Sequence, residues 1–569
     1  MASSVICTTL LIEKSPQALP LGAACVASAV KNYPELAGIV DVSLKAFCLE
    51  DKDFPKDKNA AAQYIAEKLI EDVSSGQVSG LKAGQRGGSE ASPALICFSC
   101  FVWNIEVLEA AAKILSAKGF ITIAGGPEIT AHPSFYKSFD YTISGEGEVS
   151  VPSLISKIIN KSEKSDKVII SQSPDLSLIH SPYLDGIINP AEYEGALWEL
   201  ARGCPYKCAY CYESKGQKTV RMFPMERIKA ELDLFAKKKV PQVFVLDPTY
   251  NVNKKRAVEL LRLIASKTPD TFYYFEARAE LIDRELAHEF TKIPCALQIG
   301  LQSANEETLR LVNRPFDKKK FVRGLSILNE EGVTFGLDLI YGLPVETFGS
   351  FREGIDFAIS QYPNNLEIFC LSVLPGTDLF DRADGLGLVY EKEPPYHVIK
   401  TKDFSLDDMK RAEKLSKACS CFYNSGRAVP WFNSVCRLLK FKPSKLFEIF
   451  YERYSDFCQK LCNQCGHENH EAIEKIQLEF LREQCKQKNL QRYYPALEDI
   501  VKFYGAISRT TDTGKSEILY LNYDAEYVAS DYASDIRYFV EKLRPKKNTI
   551  QTFINQGQAD FRRMKGNLR

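Results

Sequence analysis

Apolar positions along the first third of the chain fall into two alternating patterns. Runs at residues 5–12, 39–49, 95–99, 120–124 and 141–144 have strand length, while residues 21–31, 60–71, 105–118 and 151–160 repeat their apolar positions with the period of a helix. Strands and helices alternating at these lengths predict a parallel sheet covered on both faces, a doubly wound Rossmann-like α/β domain over residues 1–165. The Gly- and Ser-rich segment 74–92 predicts an exposed loop. In such sheets ligands bind past the carboxyl ends of the strands. Those ends carry Ser99, then Gly125, Gly126, Pro127 and Glu128, then Gly145 and Glu146. Glycine there permits a ligand to approach the backbone closely, and it equally serves turn geometry.

A turn-rich connection over 166–190 precedes a second alternating unit, residues 191–402. Strand-like runs at 195–201, 243–247, 272–278, 296–303, 334–340 and 366–371 are separated by helical patterns, among them 225–239, 254–267, 283–293, 317–331 and 349–359. Six strand–helix units predict a partial or complete TIM-type parallel barrel with its active site at the carboxyl ends of the strands. The last region, 403–569, reads as mostly helical, with helices over 412–423, 444–462, 470–487 and 533–542 and a short strand at 518–521. Tyr493, Tyr494 and Pro495 read as a break before its final segment.

Cys204, Cys208 and Cys211 share one loop in a C-x3-C-x2-C spacing. Three thiolates so placed can hold three irons of a [4Fe-4S] cube and leave the fourth iron open. A zinc knuckle needs a fourth ligand, and the nearest histidines, His180 and His288, are far off in sequence. Gly203 and Pro205 also suit a shaped loop better than a packed core segment. The same spacing recurs at Cys458, Cys462 and Cys465, with His467 and His470 close by. There the cysteines fall on one helical face, so core packing and a second metal site are both open.

With Tyr210 directly before its last cysteine, the first loop closely resembles the radical S-adenosylmethionine (SAM) superfamily. Later fragments follow the same order: Glu276 and Arg278; Gly300, Leu301, Gln302 and Ser303 with Asn313 and Arg314; Asp338 with Gly342, Leu343, Pro344, Glu346 and Thr347; and Leu374 to Thr377. The stretches around Phe98 to Asn104, Gly125 to Glu128 and Gly145 to Glu148 extend the resemblance to the cobalamin-binding radical SAM enzymes. That resemblance implies three cofactors. The cluster would sit on Cys204, Cys208 and Cys211. SAM would lie against Tyr210, Asp247, Glu276, Arg278, Gln302 and Ser303, with Ser303 as a hydroxyl partner. Cobalamin would lie across the sheet edge at Ser99, Gly125, Gly126, Pro127, Glu128, Gly145 and Glu146. Glu276 and Arg278 stand two apart on one strand and are expected to face the same pocket, where they suit the methionine end of SAM or pair with each other. The chain lacks D-x-H-x-x-G, so cobalt is expected without a histidine from that motif. The activity implied is reductive cleavage of SAM and methylation of an unactivated carbon of a small molecule or peptide, fed by a donor such as flavodoxin or ferredoxin. A radical SAM enzyme without cobalamin, performing hydrogen abstraction, and a non-catalytic iron–sulfur protein are the other readings. No residue is assigned as a catalytic acid or base.

Composition narrows the setting. The 569 residues are 45% hydrophobic and 26% charged, with a formal net charge of zero, which offers no electrostatic footprint for nucleic acid or a membrane surface. Seventeen cysteines without a basic leader suggest a reducing cytoplasm. No stretch approaches the roughly 20 apolar residues of a membrane span. The expectation is a soluble, cytoplasmic monomer whose helical C-terminal domain caps the barrel and shapes the substrate pocket.

Overall fold

The computed structural model describes residues 3–75, 93–162, 165–214, 219–462, 470–555 and 557–564. The loop expected at 74–92 therefore lies almost wholly outside the described residues. The first sheet contains β1 (Ser3–Leu11), β2 (Val40–Cys48), β3 (Leu95–Ser99), β4 (Ile121–Gly125), β5 (Tyr141–Ser144) and β6 (Val168–Ile170). All are parallel, in the order β2-β1-β3-β4-β5-β6. Helices Leu21–Lys31 and Gly147–Ile159 cover one face, and Lys58–Ser75 and Ile105–Ala117 cover the other. The inner strands β1, β3, β4 and β5 are thereby buried on both faces, which suits their apolar runs, whereas the edge strand β2 is half-buried and alternates apolar with polar residues. β6 falls in the segment expected as a connection, so the sheet extends past residue 165. Its three residues are too short to carry a periodic signal.

The second sheet runs through β7 (Ala196–Trp198), β10 (Gln242–Val245), β11 (Phe272–Ala277), β12 (Cys295–Gln302), β13 (Thr334–Tyr341) and β14 (Asn365–Cys370). A small antiparallel ribbon, β8 (Ala201–Arg202) with β9 (Arg221–Met222), interrupts the sequence after β7. The order is β14-β13-β12-β11-β10-β7, all parallel, and β7 and β14 do not pair with each other. The barrel is thus six-stranded and open. Trp198, Phe235, Tyr273, Phe275 and Phe335 are among its fully buried side chains.

The C-terminal region covers the open edge of β14. Ser416 Oγ donates to the Ile368 carbonyl (2.8 Å), and the Asn424 side chain both accepts from Leu366 N (3.0 Å) and donates to Leu366 O (3.0 Å). Side chains of the helix Leu406–Cys419 and of the π-helical turn after it thus take the place of a neighbouring strand. Helices Pro443–Cys462 and His470–Gln487 follow as expected. The residues read as a break instead open a twenty-residue helix, Tyr494–Thr513, with Pro495 in its first turn, where a missing N–H costs nothing. The strand at Ile518–Leu521 joins an antiparallel hairpin, Asn548–Asn555 with Gln558–Arg563, that the pattern did not announce. Cys458 is buried on its helix, whereas Cys465 and His467 lie outside the described residues. His470 is buried, and its Nδ1 accepts from Arg509 Nη1 at 2.9 Å. Burial and the nearby cations Arg427 and Arg509 push its imidazole down to about 4.

Candidate active site

The three-cysteine loop is built at the carboxyl end of β7 and fastened at its backbone by contacts from three other segments. Asp247, just beyond β10, accepts from the amides of Leu200 (2.8 Å) and Ala201 (2.9 Å), fixing the entry to the loop. Gly203 turns the chain with φ +94°, a left-handed conformation that favours glycine. In the middle of the loop, Ala209 donates to Val312 O and accepts from Leu379 N, both at 2.8 Å. The amide of Cys211 donates to Cys208 O at 3.1 Å, drawing those two residues into one turn. None of the three cysteines is in a disulfide. Burial, helped by the neighbouring Cys208 and Glu213, pushes the Cys211 thiol up to about 11 and also raises that of Cys204. Without a metal, Cys204 and Cys211 therefore favour the thiol, and a nearby positive charge favours the thiolate.

One such cation belongs to the protein. Arg314 Nη1 lies 3.8 Å from Cys208 Sγ and 3.4 Å from the Tyr210 hydroxyl, and Nη2 donates to Gly300 O. Its Nε is buried without a partner. A guanidinium with no carboxylate in these contacts, set against a cysteine sulfur, fits a neighbouring anionic iron–sulfur–thiolate centre. Among the described residues no three His, Cys, Asp or Glu side chains close around a single ion. Thiolates that each serve a different iron need no such closure. The residues present fit the cluster.

Acidic and amide side chains line the barrel mouth beside this loop. Glu276, near the end of β11, keeps solvent contact in the mouth. Surrounding protein, with the Asp338 and Glu213 carboxylates, pushes its carboxyl up to about 7. Asp338 on β13 takes a hydrogen bond from the Gln298 amide, and its burial raises it to about 6. Asp247 is likewise raised by burial to about 7. Gln302 sits at φ +71° where the β12–β13 register shifts. A Cβ at Gly300 would lie 2.3 Å from the Gln302 amide nitrogen and 3.2 Å from Arg314, so only glycine lets both approach. Ser303 Oγ donates to Glu346 at 2.5 Å and accepts from Asn305 N. Glu346 is 1% exposed, its second oxygen has no partner, and burial lifts its carboxyl to about 8.

The structure separates Glu276 from Arg278. β11 ends at Ala277 and Arg278 follows it in extended conformation (φ −107°, ψ 126°), but the Arg278 side chain is taken up by other partners. The Arg278 guanidinium pairs with Glu280 at 2.9 Å, stacks 4.1 Å over the Tyr206 ring and donates to Pro315 O. Arg278 holds the cysteine loop from beneath, while Arg314 is the arginine beside the sulfurs.

The residues expected for cobalamin meet at the carboxyl edge of the first sheet. Ser99 stands opposite Gly125 in the β3–β4 register, and its carbonyl accepts from Thr9 Oγ1 at 2.8 Å. A Cβ at Gly126 would sit 2.5 Å from Cys100 O, and φ there is +101°. Pro127 opens the helix Pro127–Ala131. Glu128 is buried and accepts from Tyr136 (2.6 Å) and Tyr396, tying the sheet domain to the segment after the barrel. Gly145 adopts φ +105° and donates to Thr130 Oγ1 at 3.0 Å. Glu146 pairs with Arg202 and Arg221 of the β8–β9 ribbon. At the β1/β3 switch point, Trp103 remains 43% exposed, stacked 4.5 Å on Phe101, with Nε1 donating to Leu10 O. A flat, half-exposed aromatic platform at the switch point of a 2-1-3-4-5-6 sheet is where such folds take a ligand, and its chemistry fits a corrin.

Residues 198–358 match the family model described as the radical SAM superfamily. These residues are a radical SAM domain. A second model, described as a protein of unknown function (DUF4080), matches residues 384–564. The cobalamin-dependent radical SAM methyltransferase TokK of Streptomyces tokunonensis is 26% identical over 337 residues, 50% of this chain and 48% of TokK. The 2-(S-pantetheinyl)-carbapenam-3-carboxylate methyltransferase of Streptantibioticus cattleyicolor is 25% identical over 355 residues, 53% of this chain and 51% of that enzyme. The chain thus spans about half the length of the curated relatives it matches. Among solved structures, the cobalamin-dependent SAM radical enzyme OxsB with aqua-cobalamin bound aligns at TM-score 0.53 and 13% identity, over 95% of this chain and 84% of OxsB. TsrM from Kitasatospora setae, with cobalamin and a [4Fe-4S] cluster bound, aligns at TM-score 0.52 and 13% identity, over 68% and 76% of the respective chains. These likenesses extend the common fold beyond the radical SAM domain to the sheet domain in front of it. Among the described residues, no helix is long and apolar enough to cross a membrane.

Proposed function

We propose that this protein is a cobalamin-dependent radical SAM enzyme that methylates an unactivated carbon of a small molecule or peptide. The observation that carries the reading is the facing of two prepared edges. A three-cysteine loop at the mouth of an open barrel meets the carboxyl edge of a switch-point sheet, and Arg202 and Arg221 join them through Glu146. The methyltransferases TokK and the carbapenam enzyme, and the cobalamin-bound OxsB and TsrM structures, support it.

When bound, the cluster supplies the electron that splits SAM, and the corrin carries the methyl group. Cys204, Cys208 and Cys211 would hold three irons, and Arg314 offsets the charge at Cys208. Glu276, Gln302, Ser303 and Asp338 present acceptors and amides at the barrel mouth for the amino, hydroxyl and adenine groups of SAM. Arg314 suits its carboxylate. Ser99, Gly125, Gly126 and Gly145 form the turns of the sheet edge against which the corrin would lie, and Trp103 offers a flat surface to the ring. Glu128 acts through Tyr136 and Tyr396 to hold that edge against the barrel. Flavodoxin or ferredoxin is the proposed donor, and the active form is proposed to be a cytoplasmic monomer.

The test uses reconstituted protein, a strong reductant and SAM carrying a deuterated methyl group. Label recovered in methylcobalamin together with release of 5′-deoxyadenosine supports the proposal. Release of 5′-deoxyadenosine with no label ever reaching the corrin refutes methyl transfer.

A further inference from the structure

The ion pairs at Arg202 form a single unit. Arg202 lies two residues before Cys204, and its side chain is only 14% exposed. Nη1 donates to Glu146 (2.6 Å), Nη2 to Glu148 (2.7 Å) and Glu199 (2.9 Å), and Nε to the other Glu199 oxygen (3.1 Å). Every guanidinium nitrogen is used, and three carboxylates converge on one cation. Glu146 accepts in turn from Arg221, whose Nη1 also holds Pro174 O at 2.9 Å. Glu146 is the N-cap of the helix Gly147–Ile159 and Glu148 is in its first turn, where the helix dipole favours negative charge. The turn that begins at Gly145 and the loop that carries the cysteines are therefore clamped through one planar fork. A lysine, with one nitrogen at the end of a flexible stem, cannot span the same three acceptors. Buried ion pairs of this kind contribute little net stability, because desolvation offsets attraction, but they fix geometry.

We infer that Arg202 is a positioning residue that sets the cluster loop against the Gly145–Glu148 turn, so that charge and geometry at the sheet edge are felt at the cluster. The corrin arm of this inference rests on the proposed two-cofactor reading; the cluster arm does not. The charges predict opposite signs. Removing Arg202 leaves Glu146, Glu148 and Glu199 facing the cluster loop with Arg221 alone to offset them, so the cluster becomes harder to reduce. Removing the charges of Glu146 and Glu148 leaves Arg202 in excess over Glu199, so the cluster becomes easier to reduce.

The experiment is an EPR-monitored potentiometric titration of cluster-reconstituted, corrin-free full-length protein for wild type, R202M, R202K and E146Q/E148Q. Hydroxocobalamin binding is measured in parallel. The midpoint potential is expected to fall in R202M, rise in E146Q/E148Q and stay near wild type in R202K, which keeps the charge. Hydroxocobalamin affinity is expected to fall about tenfold or more in all three, R202K included, as for other lost supporting partners of a cofactor site. If R202M does not fold, E146Q/E148Q and R202K still decide the matter. Potentials that stay unchanged, or that shift in one direction for both charge changes, overturn the inference. Wild type that binds no hydroxocobalamin refutes the two-cofactor reading and the corrin arm, while the potentials still decide the cluster arm.

Discussion

Asp247 anchors the cysteine loop, and its contribution can be worked out before any cofactor is added. One carboxylate oxygen accepts both the Leu200 and the Ala201 amide, at 2.8 and 2.9 Å, in a site that leaves the residue 7% exposed. Asp247→Leu strands two buried N–H groups at about 1–3 kcal/mol each, so opening of the loop entry should become easier by about 2–6 kcal/mol. Asp247→Asn keeps a carbonyl oxygen for both amides and should open no more readily than wild type. The two variants also differ in pH dependence. Burial raises the folded-state carboxyl from 3.8 to about 7, so the folded state holds a proton that the opened state has lost. Stability therefore falls as pH rises from about 4 to about 7 and levels off above. Between pH 6 and pH 8 a group titrating at about 7 loses about 1.4 kcal/mol, about a tenfold change in opening. Hydrogen–deuterium exchange of a peptide covering residues 199–202, corrected for intrinsic rates, reads both effects. The expected result is at least about 30-fold faster exchange in D247L, a tenfold pH effect in wild type, and none in D247N. Wild-type protection in D247L would refute the anchoring argument, and a pH effect that persists in D247N would refute its electrostatic part.

Three further outcomes follow from particular contacts. C204A, C208A and C211A should each lose most of the iron that reconstituted wild type holds, about four per chain, whereas C458A should retain it, as read by iron analysis. G126A, whose Cβ would lie 2.5 Å from Cys100 O at φ +101°, should lower Tm clearly, whereas G349A, with only Thr347 Oγ1 at 3.6 Å, should leave it nearly unchanged. The Glu346 carboxyl, raised to about 8, is protonated at neutral pH in the fold. Thermal stability should accordingly decline from about pH 4.5 to pH 8 in wild type more than in E346Q, which still accepts from Ser303.

The sheet domain was legible because its inner strands are short apolar runs, and the barrel because its strands alternate buried with half-exposed positions; in both, the helices between carry a helical period. Cysteine spacing likewise singled out the loop of Cys204, Cys208 and Cys211 that the structure places at the end of β7. The partners of Arg278, which are Glu280, the Tyr206 ring and the Pro315 carbonyl, were not legible because two of them are brought to it by packing between separate segments. Arg314 stood in the sequence beside Asn313, but its contact with Cys208 comes from packing between segments far apart in the chain. The partners of Glu128 and Glu146, Tyr396 and Arg202, are similarly distant and invisible to local pattern. The helix Tyr494–Thr513 was missed because Pro495 marks a helix start as readily as a break.

The measurement that tests the central claim most directly is the visible spectrum of protein produced anaerobically with added cobalamin, reconstituted with iron and sulfide, and passed through gel filtration. The account predicts a corrin band that stays with the protein at about one per chain beside cluster absorbance. Cluster absorbance with no retained corrin would contradict it, leaving a SAM-cleaving enzyme whose sheet domain serves another ligand.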